Sequence, residues 1–268
     1  MAERRRGRSF ALLPERARAI RPPKWWQEAA FILVVYELYS LVRNAVPEHE
    51  KGAYHRATSL LSLERTLHID WELSLNHVVA AHAWLANVSD YYYATLHFVV
   101  TIGVLVWLYL RHPLRYRSIR SVLIATNLTA LIGFWFVSLA PPRMLPGFVD
   151  TLVKFHTWGS IASGSVAKES NQFAAMPSLH VGWALWCALA IVTLAQRRWV
   201  KVLGALYPVC TVFVVLGTAN HFVLDAVGGV VTLGIGIAIE RLLSGRHAYS
   251  RTAGSLTVAA AERELAAA

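Results

Sequence analysis

The sequence predicts an all-α, polytopic membrane protein, a six-transmembrane-helix bundle, on three observations. The 268 residues are 56% hydrophobic and only 16% charged, where a soluble domain carries roughly 25% charged residues. Apolar windows of about 20 residues, the length that crosses a hydrocarbon core of about 30 Å, recur at 27–46, 91–110, 121–140, 178–196, 199–218 and 222–243. Nineteen of the 26 Lys and Arg residues cluster at alternate ends of those windows, the pattern of short cytoplasmic loops.

Residues 1–24 hold eight basic residues and form a basic cytoplasmic arm. The first window reads as a retained helix rather than a cleaved signal sequence, because that arm is long and no small-residue cleavage pattern follows. Between spans one and two, "LLSLERTLHIDWELSLNHVVAAHAWLAN" has apolar residues at helical spacing with charges between them. Neither half is apolar enough to cross, so the segment is expected as an amphipathic helix pair on the outer surface. "RHPLRYRSIR" joins spans two and three on the inside, and "QRRWVK" joins spans four and five there.

Residues 141–177, between spans three and four, make an outer loop longer than a passive connection. Its parts are a rigid start "APPRMLPG", a short helical piece "FVDTLVKFHTW", and a small-residue stretch "GSIASGSVAKES" suited to a lid. The membrane catalytic domain runs over 25–243, and 244–268 is a disordered cytoplasmic tail. Both termini are therefore cytoplasmic in a multi-pass protein of the cell membrane. The net charge of +10 then reflects topology and attraction to anionic lipid, not nucleic-acid binding. Cys187 and Cys210 fall within spans, so no external disulfide is expected.

Three unusual features fall on the outer face under this topology: Arg143, His180 in "AAMPSLHVGWALW", and His221 with Asp225 in "TANHFVLDAVGG". At 3.6 residues per turn, Asp225 lies about 40° from His221, and Gly228, Gly229, Thr232 and Gly236 continue that face with small residues. Ala184, Cys187 and Ala188 do the same below His180. Small residues let helices approach closely in lipid, so the two spans are expected to bring His180 and His221 together.

Asp225 can accept the N–H of one His221 ring nitrogen and raise the basicity of the other, which leaves a neutral imidazole as a nucleophile towards phosphorus. His180 is then placed to protonate the leaving oxygen. Ser178 is a candidate N-cap that aims the first amides of span four at an anion. Arg143 is a candidate for the equatorial phosphoryl oxygens.

Plainer readings stand beside these. A lone His at a span end serves as an interfacial polar residue, and Arg143 serves as a loop brace. A His-x-x-x-Asp pair also suits zinc, but no further ligands complete a set, so no metal and no cofactor are expected. His97 and Glu37 are ionisable residues within spans and candidates on that ground, with packing as the competing role. Rings near span ends, among them Tyr91, Tyr92, Tyr93, Trp183 and Trp186, are expected at headgroup depth.

These residues resemble a known family. "AAMPSLHVGWALW", "TANHFVLDAVGG" and the upstream "APPRMLPGFVDTL" look like the second, third and first motifs of the type 2 phosphatidic acid phosphatase superfamily. They are most similar to the branch containing inositol phosphorylceramide synthase, whose pre-span segment "LLSLERTLHID" also resembles. The resemblance implies a six-helix bundle, a phosphohistidine on His221 oriented by Asp225, acid catalysis by His180, and no metal.

The chain departs from the broad pattern at Leu179, where Gly is usual, and at Val215, where Arg is usual. The family's Lys-containing first motif is also missing, so Arg143, Lys168 or Lys154 would have to supply the phosphate-binding charge. The expected function is cleavage of a lipid phosphoester at the outer leaflet, by hydrolysis or by transfer. The alternatives are a phosphoinositol- or phosphosugar-lipid transferase and, in another class, a transporter or lipid-binding protein using His-Asp as a proton relay. Against the last, the ionisable residues gather at one face and no inverted repeat is visible.

Overall fold

The computed structural model describes residue 12 and residues 23–45, 50–157, 172–173, 175–245 and 247–249. The described residues are helical with short connections. The helices are α1 (Trp25–Asn44), α2 (Glu50–Thr66), α3 (Trp71–Ala81), α4 (Ala83–Arg111), α5 (Pro113–Phe136), α6 (Leu179–Leu194), α7 (Arg198–Gly217) and α8 (Val223–Ser244). Four of them, α4, α5, α7 and α8, are long and apolar enough to cross a membrane. α6 is apolar but has 16 residues, and α1 carries Glu28, Glu37 and Arg43 and falls outside that set.

The apolar surface is that of a protein meant for lipid. Phe136, Leu110, Val209 and Leu33 are each more than half exposed, and apolar exposure on this scale would be a liability in water. The buried core instead lies between α4, α5, α6 and α8, with Leu108, Ile119, Val122 and Trp186 fully enclosed. Trp186, expected at headgroup depth, is a core residue, and its indole N–H donates to the Ile119 carbonyl at 2.8 Å. A buried indole needs such a partner.

Helix starts follow local chemistry. Pro113 opens α5, where its missing N–H and fixed φ suit the first turn. The helix therefore begins eight residues before the apolar window and takes in the basic run. It ends at Phe136, ahead of Pro141-Pro142, and the strand-like exit is held by Leu139 N–H donating to the Phe173 carbonyl. The segment expected as an amphipathic pair is helical as α2 and α3, although residues 83–87 belong to α4.

Ala53, Ala57, Leu61 and Glu64 form the buried stripe of α2, at the three- and four-residue spacing of one helix face. α3 is pinned through Asn76, whose amide donates to the Gly217 and Val149 carbonyls at 3.0 Å and accepts from Val149 N–H. Short connections, a single residue between α4 and α5 and Thr218–Phe222 between α7 and α8, force antiparallel neighbours. The starts of α6 and α8 consequently come to one end of the bundle, where α2 and α3 also pack.

The start of α6 is fastened to α8 directly, by Ser178 N–H donating to the Asp225 carbonyl at 2.9 Å. Gly229 makes this approach possible, because a Cβ there would collide with the Ser178 carbonyl oxygen. Lower down, Gly236 faces Thr126 of α5, while Cys187 of α6 turns to Thr101 of α4. The small face of α8 is thus shared between α5 and the head of α6 rather than meeting α6 along its length.

Candidate active site

His221 sits in the tight connection between α7 and α8, where the His221 and Asn220 N–H groups both donate to the Val215 carbonyl. One turn on, Asp225 is fully buried. Its Oδ2 accepts from Phe222 N–H at 2.9 Å and faces His221 Nδ1 at 3.4 Å. That arrangement commits Nδ1 to the carboxylate side, while His221 Nε2 has no hydrogen-bond partner among the described residues. The long contact is of the kind that tightens when substrate is bound.

His180 lies in the first turn of α6 with its ring centroid 5.7 Å from that of His221. Its Nε2 is likewise buried and without a described partner. Two imidazoles, each with a buried and unsatisfied nitrogen, thus line one cavity of about 550 Å³. A buried polar atom left without a partner is expensive unless something else satisfies it.

A π-helical turn at Tyr92–Leu96 inside α4 builds the opposite wall, and such turns often occur at functional sites. It stacks the Tyr93 ring on His180, at 4.2 Å and 21°. The Tyr93 carbonyl is within 3.0 Å of His97 Nδ1, and the His97 ring stands edge-on to His180 at 4.3 Å. His97 therefore packs against the candidate acid. Tyr93, expected in an interfacial belt, is part of the site. Glu37 lies on the exposed side of α1 and does not line the cavity.

Arg143, in the turn Pro142–Met144, lines the same cavity. Its backbone N–H donates to the Ala219 carbonyl at 2.8 Å, and its Nη1 donates to Asn220 Oδ1 at 2.6 Å. Nε lies 3.5 Å from Asp150 Oδ2, and Nη2 donates to Gln172 Oε1 at 3.1 Å. It therefore braces the loop onto the residues before His221 and also faces the cavity. Asn220 was not singled out by sequence, although it adjoins His221.

The second cation of the cavity wall is Arg43, from the last turn of α1. By sequence it was one more charge beside a loop. Lys154 is directed elsewhere: its Nζ donates to the Ala80 carbonyl at 2.8 Å, it lies over the Phe155 ring, and it does not line the cavity. Lys168 and the expected lid at 160–170 fall outside the described residues.

Ser178 occupies the N-cap position of α6, but its fully buried hydroxyl caps no amide and has no described partner. The cavity is lined instead by Pro177, Leu179 and His180 on either side of it. Among the described residues, no group of three or more His, Cys, Asp and Glu side chains is placed to hold a metal ion.

A family model described as the PAP2 superfamily matches residues 58–239. No curated protein and no solved structure matches the chain significantly.

Proposed function

This chain belongs to the PAP2 superfamily, and from that premise we propose that it is an integral membrane enzyme that cleaves a lipid phosphoester through a histidine nucleophile. Membership suggests a phosphatase or phosphotransferase, and the long apolar helices fit a membrane-embedded protein. The single observation that carries the finer reading is the pair of histidines lining one cavity, each with an unpartnered Nε2 and one of them backed by Asp225.

In this mechanism His221 Nε2 attacks phosphorus and forms an N–P bond as the ester P–O bond breaks. His180 gives its proton to the departing oxygen. Water or a second alcohol then attacks the phosphohistidine, losing its proton to His180 and releasing His221. Asp225 stabilises the positive charge that His221 gains at Nδ1–H. Arg143 and Arg43 supply positive charge to the equatorial oxygens, and Lys168 and the start of α6 after Ser178 remain candidates for the same anion.

A lipid substrate is supported by a second cavity of about 650 Å³ between α1, α4 and α5. Its lining is almost wholly apolar, and it shares Tyr36, Tyr39, Phe98 and Trp183 with the catalytic cavity. An acyl chain occupying it leaves the headgroup beside the histidines. The membrane arrangement proposed with this is six spans (α1, α4, α5, α6, α7, α8), with α2 and α3 on the outer surface. Both termini are cytoplasmic and the site opens to the outer leaflet of the cell membrane. Transfer to a polyol, as in the inositol phosphorylceramide synthase branch, is favoured over simple hydrolysis by the Leu179 and Val215 departures, which that branch largely shares.

The test is to incubate purified protein with a panel of long-chain lipid phosphates and phosphodiesters, with and without inositol and other polyols, and to follow free phosphate and new phosphodiester. An acid-labile, base-stable phosphoryl adduct is expected in wild type when phosphoryl is transferred, and none in His221→Ala. Full activity in His221→Ala removes the histidine mechanism.

A further inference from the structure

Glu64 of α2 and Glu72 of α3 are both fully buried, the mechanism uses neither, and no Lys, Arg or His among the described residues forms an ion pair with either. Their carboxyls lie within hydrogen-bonding reach of one another. Glu64 Oε2 has no described donor, and the Glu72 carboxyl makes no well-formed hydrogen bond, its own backbone N–H being the one donor near it. Glu64 Oε1 accepts from Leu224 N–H at 2.6 Å. Two ionised carboxylates in such contact repel, and neither can donate to the other. One proton between them removes the repulsion and supplies the missing donor.

The bond to Leu224 spans 160 residues of sequence and answers a local deficiency of α8. Phe222 at its N-cap carries no side-chain acceptor, so the first-turn amides lack the usual Ser, Thr or Asp partner. Asp225, the one acidic residue in that turn, is already engaged by Phe222 N–H and His221. An acceptor brought from α2 covers the Leu224 amide next to it and leaves Asp225 facing the histidine.

We propose that Glu64 and Glu72 share one proton as a carboxyl–carboxylate pair and, through the Leu224 amide, act as positioning residues that hold the start of α8 and its His221–Asp225 pair in register. The proposal rests on the phosphoester reading for its kinetic arm only. The charged groups bearing on the pair from neighbouring elements are Asp70 before α3 and Asp225 on α8, both acidic. Arg65, beside Glu64 in sequence, points outward to Asp70 at 3.8 Å. Burial, the largest cause, pushes both carboxyls up, Glu64 to about 8 from an ordinary 4.5. The folded protein then binds more protons than the unfolded chain between those values, so the pair's stabilisation is complete at the acid end, is lost as pH rises towards 8, and changes no further above it.

The experiment compares wild type, Glu72→Gln and Glu72→Ala in detergent, by melting midpoint and by turnover of a lipid phosphate, each from pH 5 to 9. Gln can donate to the Glu64 carboxylate and replaces the shared proton permanently, whereas Ala leaves Glu64 without a donor. Glu72→Gln should stay near wild-type turnover at neutral pH and keep it further into alkali, while Glu72→Ala loses about tenfold. The wild-type midpoint should fall between pH 5 and 8 and level off, and the Glu72→Gln midpoint should lack that fall. Superimposable melting profiles for wild type and Glu72→Gln, or a Gln variant as impaired as the Ala variant, would overturn the proposal. A wild type that melts as expected but turns over no lipid phosphate would instead sink the phosphoester reading.

Discussion

Gly229→Ala isolates the geometry on which the two histidines depend. The added Cβ would meet the Ser178 carbonyl oxygen inside any tolerable distance, with Gly182 N at 3.2 Å and Val181 Cβ at 3.3 Å behind it. Carbon and carbonyl oxygen sit about 3.3–3.6 Å apart in close helix contacts, so the head of α6 must retreat by about 1 Å. The obstacle is backbone and cannot rotate away. His180 lies two residues after Ser178 and moves with it, while His221 and Asp225 stay with α8.

A displacement of about 1 Å between reacting groups can reduce turnover about 10²-fold, and overpacking of this kind destabilises by about 1–3 kcal/mol. The assay is kcat on a lipid phosphate alongside the melting midpoint in detergent. Gly234→Ala is the control, since its Cβ meets nothing within 4 Å on the same helix, and it should keep full activity and gain about 0.5–1 kcal/mol. Gly229→Ala with wild-type kcat would refute the claim that the α6–α8 contact sets the histidine spacing.

Arg43→Ala should raise KM for a lipid phosphate about tenfold or more if its charge meets the headgroup, and an unchanged KM leaves that role to Arg143. Lys168→Ala should weaken handling of a long-chain lipid phosphate without lowering the melting midpoint, and an unaltered enzyme removes Lys168 from phosphate binding. For topology, a Cys placed near Arg117 should be shielded from impermeant thiol reagent in intact cells and one near Ser165 should react, the reverse pattern putting the site on the cytoplasmic side.

How far the sequence announced this structure depends on the range of each interaction. Hydropathy placed six helices within a few residues at most ends, because a long apolar run is a property of a continuous segment, and four of the six are long and apolar enough to cross a membrane. The i, i+4 spacing of His221 and Asp225 was visible for the same reason. Tyr93 reads from sequence as an interfacial ring, since nothing in "SDYYYATLHF" marks the π-helical turn that places it on His180. Arg43 and Glu64 were illegible as site neighbours because each reaches the start of α6 or α8 from a distant helix. That Lys154 turns away from the cavity is not legible either, because its partner, the Ala80 carbonyl, is a backbone atom 74 residues away.

α1 links the basic end of α5 to the cavity end of the bundle. Its one buried residue is Glu28, which accepts from Tyr116 at 2.9 Å and Arg120 at 2.6 Å. The far end of the same helix carries Tyr39 and Arg43 into the wall of the cavity that His180 and His221 line. Between these ends Ile32 packs against the main core, Tyr36 meets Phe98 of α4 edge-on, and Tyr39 packs against Ala130, Leu131 and Phe134 of α5. Through Tyr36 and Tyr39 this helix walls both the apolar cavity and the one that His180 and His221 line, while contributing none of His180, His221 and Asp225. The wall that the proposed lipid would meet and the two histidines are thereby assigned to different helices.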